Sequence, residues 1–272
     1  MAGRRVKDFH EYLTTATNKH TTLNDYLVSP ATAFLKYAIE AKSAIDLCAR
    51  KFPTNQDGNY SSDSLDSLQH LTVAILPSIM GHFETYQRIL FGLMFDNSVH
   101  LNNFDVSKFL NKLSKETIVS VDIGRLAAYR NIGTASIGNV LSDSLSGWHN
   151  PERVNSYFAA FNLGYRLFSN DDCRRLKVLW QLRHSVVHTG GTITLPDAQK
   201  VDELKSYGRQ TIAFEKNFIF EVARKLHPVV KKATEGIGTK YKTRLISGTK
   251  QVDIDRINKL FEVKSSVGAW LR

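Results

Sequence analysis

Apolar residues return every three to four positions through most of this chain, and that period commits it to helices. In SPATAFLKYAIEAKSAIDLCARK, Ser29 stands where an N-cap belongs and Pro30 takes the first helical position, where its missing N–H costs nothing. SLDSLQHLTVAILPSIMGHFETYQRILFGLM (64–94) predicts a long helix, kinked or split at Pro77. DVSKFLNKLSK (105–115) predicts a short helix, and DIGRLAAYRNIGTASIGNVLSDSL (122–145) another, weakened by its glycines. NPERVNSYFAAF opens on a capping Asn150 before Pro151; NDDCRRLKVLWQLRHSVVH (170–188) carries acids in its first turn and stops at Gly190-Gly191. RQTIAF (209–214) reads as a short extended piece, followed by the helix EKNFIFEVARKLHPVVKKA (215–233). PTNQDGNYSSD (53–63) reads as a loop. The chain then turns Gly-, Thr- and Lys-rich in TEGIGTKYKTRLISGTKQ (234–251) before a last amphipathic stretch over 254–271. The expected class is all-α, with no internal repeat.

Composition narrows the partner. The 272 residues, 42% of them hydrophobic, suffice for one large or two modest cores. With 36 Lys and Arg against 26 Asp and Glu, the net charge is +10. That favours a polyanion, nucleic acid before an anionic membrane surface, unless it is only a basic solvated face. Cys48 and Cys173 form no CxxC or zinc spacing and read as reduced core thiols. No run approaches membrane-spanning length, and MAGRRVKDFHEYL lacks the apolar centre of a signal peptide, so a cytoplasmic protein without a membrane partner is expected.

One stretch resists a purely structural reading. In LKVLWQLRHSVVHTGG (176–191), Leu176, Leu179, Trp180, Val186 and Val187 share a broad helical face with Arg183 near its centre, and His184 and His188 lie one turn apart at its edge. A guanidinium keeps its charge on burial, so Arg183 requires an anion, a carbonyl or another protomer. The plain alternative is an arginine paired with a neighbouring carboxylate and two hydrogen-bonded histidines.

RHSVVH has the form Arg-polar-x3-His and resembles the signature of HEPN domains, helical bundles that include many metal-independent endoribonucleases. The resemblance extends to MGHFETYQRILFGLM, which is similar to the upstream helix of the RiboL-PSP-HEPN and related large HEPN groups, to NPERVNSYFAAFNLG, and to GRQTIAFEKNFIFEVARKL after the motif. It covers residues 64–232 in order. It implies a HEPN helical bundle over 61–235, an N-terminal helical extension over 1–60 and a basic C-terminal appendage over 236–272. It also implies a homodimer with the motifs facing one cleft. The HEPN toxins paired with nucleotidyltransferases carry a tyrosine two residues after the histidine; here that position is Gly190, which argues against control by tyrosine modification.

The chemistry stands on physical grounds as well. RNA carries its own nucleophile, the 2′-hydroxyl, so cleavage needs only a proton-transfer group and a cation for the developing phosphorane charge. His188 suits the first role and Arg183 the second, with His184 orienting the phosphate or His188. Glu84 is a candidate support for Arg183 or His188 across the bundle, or else simply the i+4 partner of Arg88. No metal or other cofactor is expected. Arg183 and His188 are separated by about 140° on an ideal helix. Either the helix loosens at His188 or the site draws on two chains.

Other candidates read as structural. His82 has no evident partner, and Trp148-His149 reads as a packed turn before a base-stacking pair. His184 and His188 have zinc-ligand spacing, yet position 185 is Ser, not the Glu of a metalloprotease. Asp197, Glu203 and Lys205 mimic a metal-dependent nuclease set, but the gap is too short for strand, turn and strand. KYKTRLISGTK (240–250) is either a solvated flexible segment or an arm that follows an RNA backbone. The expected function is metal-independent RNA cleavage of a defence or toxin type, with RNA, a second copy and a neutralising or regulatory protein as partners. Alternatives are a non-catalytic HEPN module that binds RNA or scaffolds, and a DNA-associated helical protein.

Overall fold

Ten α-helices are formed among the residues described by the computed structural model, which are 8–14, 20–116 and 136–265. They are α1 (Leu23–Val28), α2 (Pro30–Lys51), α3 (Ser62–Asp96), α4 (Val106–Glu116), α5 (Ile137–Ser144), α6 (Pro151–Ala159), α7 (Asn170–His188), α8 (Leu195–Ala198), α9 (Phe218–Lys242) and α10 (Gln251–Leu260). Among the described residues no strand forms, and extended segments meet only as isolated antiparallel bridges, including Thr192 with Thr211 and Leu101 with Leu245. The architecture is an all-α bundle. Among the described residues, no helix is long and apolar enough to cross a membrane. The first part of the helix expected over 122–145 and the end of the piece expected over 254–271 lie outside the described residues.

Local chemistry sets the helix ends. Asn150 accepts from the N–H groups of Glu152 and Arg153, both at 3.1 Å, with Pro151 behind it. Ser169 and Asp172 form a reciprocal capping box at the start of α7. Gly190 and Gly191 end it with φ of +62° and +84°, a region that disfavours side chains carrying a Cβ. The expected extended piece forms only in part: Ile193 N–H donates to Gln210 O (2.9 Å) and Ile212 N–H to Gly191 O (2.7 Å), while Arg209, at φ +72°, belongs to the turn before it.

α3 is the spine. Leu76, Met80, Phe83, Phe91 and Met94 follow the helical period, and none is measurably exposed. Pro77 does not split it, since the helix runs through from Ser62 to Asp96. α2 lies along one side of α3 and α5 along another. The α3–α5 approach is so tight that a Cβ on Gly138 would stand 2.0 Å from the Gly92 carbonyl oxygen. The glycine that weakens α5 as an isolated helix permits its packing. Around Phe91 gather the rings of Phe109, Trp148, Tyr157, Phe158 and Phe161, at centroid distances of 5.4–6.4 Å. Truncating such a ring to alanine costs about 3–5 kcal/mol.

Two expected borders are not breaks in packing. Tyr26, Phe34, Leu35 and Ala38, at most 1% exposed, share one core with α3, so α1 and α2 do not form an extension of their own. The border at 235/236 falls inside α9. Gly236 and Gly238 look like helix breakers in sequence but serve close contact. A Cβ would lie 2.1 Å from the Tyr165 hydroxyl at Gly236 and 2.7 Å from Phe261 at Gly238. Beyond α9 the backbone is tied down, with Asn102 N–H donating to Arg244 O (2.8 Å) and Ile246 N–H to His100 O (2.9 Å). Ile257, Leu260 and Phe261 then join the core. The basic C-terminal stretch is thus part of the bundle rather than an appendage or a loose arm, although Lys240, Lys242, Arg244 and Lys250 point to solvent.

Ser29 occupies the N-cap position of α2, yet its hydroxyl caps no N–H; it bonds instead to the Glu262 carbonyl at 2.9 Å. Both cysteines are free thiols, Cys173 buried and Cys48 half-buried. Burial pushes the Cys173 thiol pKa up.

Candidate functional site

The C-terminal half of α7 carries the expected site. Leu176 and Trp180 are buried, the Trp180 ring lying 6.5 Å from that of Phe83 on α3. The apolar face does not continue as the wheel suggests. Val186 is half-buried and Val187 is 46% exposed, while Gln181, Leu182 and Ser185 are buried on other sides of the helix. A wheel assumes one covering neighbour; α7 is covered on several sides early and left open at its last turn.

Arg183 lies half-buried at this transition. Its Nε is buried without a hydrogen-bond partner, and its guanidinium forms no ion pair among the described residues. An unsatisfied buried donor on a charged group is costly, so the site holds Arg183 in a state that an anion would relieve. The expected neighbouring carboxylate is absent among the described residues.

His184 and His188 face each other one turn apart, with ring centroids 4.6 Å apart. His184 Nε2 also stands 3.8 Å from Asp197 Oδ1 on α8. Partial burial, and then the nearby His188, Lys200 and Arg183, lower the His184 pKa below the ordinary histidine value, against the pull of Asp197. A neutral imidazole at neutral pH can accept a proton. His188 is exposed, the last residue of α7. The helix does not loosen there: Thr189 N–H still donates to Ser185 O at 3.1 Å. Arg183 and His188 of one chain therefore remain on different faces.

Glu84 does not support this site. Its carboxylate binds Arg88 at 3.2 Å, and Arg88 continues to Asp143 at 2.7 Å, as the i+4 spacing on α3 dictates. Neither Arg183 nor His188 pairs with it. Asp197, Glu203 and Lys205 also part company. Asp197, 5% exposed, takes Lys200 at 2.7 Å and the Thr194 hydroxyl at 2.8 Å; Glu203 faces Arg174 at 3.6 Å and Lys205 binds Asp202 at 2.6 Å. The Lys200 hydrogen bond, with that from Thr194, holds the Asp197 carboxyl below its ordinary pKa. Among the described residues no three His, Cys, Asp or Glu side chains gather in a metal-holding group.

Sequence reading missed Asp197 as a neighbour of His184. Thr194-Leu195-Pro196-Asp197 has helix-cap spacing and was the available signal that Asp197 is fixed in place. Trp148 is 2% exposed and donates its indole N–H to Ser142 O at 3.1 Å, so that turn is packed, while exposed His149 meets the Trp180 ring edge-on at 6.3 Å. No family model, curated protein or solved structure matches this chain.

Proposed function

We propose that this protein cleaves RNA without a metal, by attack of the 2′-hydroxyl on the adjoining phosphate. The observation that carries the reading is Arg183: a half-buried guanidinium with a buried, unpartnered Nε and no carboxylate partner among the described residues, on the same helix as half-buried His184 and exposed His188. A phosphodiester supplies the missing acceptor. Arg183 holds the phosphate and stabilises the charge of the phosphorane, His188 moves the proton of the attacking hydroxyl or the leaving oxygen, and neutral His184 stands beside it. Because the helix stays regular through His188, Arg183 of one copy is best matched with His188 of a second, which makes the active form a homodimer. A defence or toxin role, restrained by a neutralising or regulatory protein, accords with such an enzyme, as does the resemblance to HEPN ribonucleases.

The same regular helix also favours a second reading for an isolated chain, a module of HEPN type that binds RNA through Arg183 and does not cut it. Incubating purified protein with RNA in excess EDTA separates the two. Cleavage leaving a 2′,3′-cyclic phosphate and a 5′-hydroxyl, absent on DNA and at a 2′-deoxy position, is expected from the enzyme. Binding without cleavage at any protein concentration supports the module. A magnesium requirement or a 5′-phosphate product excludes the proposed mechanism.

A further inference from the structure

A cleft with no residue from α7 in its lining opens between the C-terminal half of α2, the turn carrying Tyr60 and the start of α9. Its volume is about 590 Å³, within the range of small-molecule sites. The floor is apolar, with Ile45 5% exposed beside Ala49. Two half-buried rings, Tyr60 and Phe220, stand in the lining. Tyr60 is fixed in place, its hydroxyl donating to Ala49 O at 2.8 Å.

Three cations share this space with one carboxylate. Lys42, 7% exposed, binds Asp46 at 2.6 Å and lies 5.1 Å from the centre of the Phe220 ring. Arg50 uses its Nε on the Asp46 carbonyl at 3.3 Å and has no carboxylate partner among the described residues. Lys216 stands 5.8 Å over the Tyr60 ring, likewise with no carboxylate partner among the described residues. Asn217, beside it, makes no capping hydrogen bond to α9. A merely solvated basic face would not set its cations against fixed rings over an apolar floor. A simple anion would use the cations and leave the rings idle; a neutral apolar ligand would do the reverse. The ligand that uses both is a flat aromatic group carrying a phosphate.

We propose that this cleft binds one nucleotide unit. The base lies against the Tyr60 ring over Ile45, and its phosphate meets Arg50 and Lys216, while the Asn217 amide offers a donor and an acceptor to a base edge. The unit is either a free mononucleotide or one residue of a single strand held away from Arg183.

Equilibrium dialysis of the full chain with radiolabelled UMP and AMP, beside titration of a labelled, uncleavable 2′-O-methyl oligouridylate, tests this. Saturable binding is expected, weakened at least about tenfold by Arg50→Ala/Lys216→Ala and by Tyr60→Leu, and retained by Tyr60→Phe. Mononucleotide binding identifies a free-nucleotide site; binding of the oligonucleotide alone identifies a strand subsite. If Tyr60→Leu loses its helical circular dichroism, the two exposed cations still decide. No saturable binding of either probe, binding indifferent to these variants, or inorganic phosphate competing as well as UMP would overturn the proposal. Neither probe can be cleaved, so their binding is read without the reaction, and the cleft and the cleavage reaction stand or fall separately.

Discussion

His82 and the pair His184–His188 place imidazoles in two opposite environments. His82 on α3 is half-buried and partnered: its Nδ1 shares a 2.8 Å hydrogen bond with the Tyr26 hydroxyl, and its ring stacks on Tyr37 at 3.4 Å. At the end of α7, by contrast, one histidine is exposed, the other meets its carboxylate only at 3.8 Å, and Arg183 beside them lacks a partner for Nε among the described residues. In the closed set Nδ1 and the ring face are taken by α1 and α2, so His82 holds α1, α2 and α3 together. An open set leaves charge and proton capacity unspent. The difference between a structural and a chemical histidine lies in its partners, not its residue type.

Breaking the open set should hit activity and spare the fold. His188→Ala is expected to lower RNA cleavage by about 10²–10⁴-fold, with thermal unfolding unchanged, because the side chain is exposed. Cleavage assayed beside calorimetry reads both, and wild-type cleavage would remove His188 from the reaction. Arg183→Met should cost about 10²–10³-fold in cleavage yet leave stability equal or higher, since it removes a half-buried charge with an unsatisfied donor and keeps the aliphatic stem. A large loss of stability instead would mean that Arg183 is a packing residue.

Breaking the closed set should do the reverse. His82→Ala strands the hydroxyl of Tyr26, which is 1% exposed, and removes a stacked ring, so a loss of about 1–3 kcal/mol in urea unfolding is expected, with cleavage per folded molecule intact. The smallest effect is in pH. Burial lowers the His82 pKa below the ordinary value, against a smaller opposing pull from Glu40. Above that ordinary value, about 6.5, both states are neutral and the arrangement contributes fully. As pH falls below it, the unfolded chain takes up a proton that the folded chain resists, so stability declines until pH passes the depressed folded value. His184 and His227, also lowered by burial, act in the same direction. Melting temperatures of wild type and His82→Gln from pH 7 to 5 should therefore converge; parallel curves would show that His82 titrates alike in both states.

The contrast was only half legible in the sequence. What depends on neighbours along the chain was readable: Asn150-Pro151, the acids after Ser169 and Gly190-Gly191 mark helix ends through contacts within a few residues. What depends on distant partners was not. Nothing near His82 announces Tyr26, and Glu84 could be given to Arg183 or Arg88 until the packing of α3 decided it. Gly236 and Gly238 misled because a glycine that ends a helix and one that admits a neighbouring ring look alike in one dimension. At α7 the motif was visible but its surroundings were not: the single apolar face was an artefact of treating one helix as though it had one neighbour.

The bond between Ser29 and Glu262, with the 3.0 Å contact from Lys264 N–H to the Thr32 hydroxyl, also sets an order of events. These partners are more than 230 residues apart in sequence. A chain leaving the ribosome N-terminus first has α2 in hand long before the segment that seats against it emerges, more than 230 residues later. Until then the start of α2 and the Gly238 flank of α9, where Phe261 belongs, stay uncovered. Closure of this seam thus waits on residues 257–264, and a ribosome that stalls before Phe261 leaves the core open there.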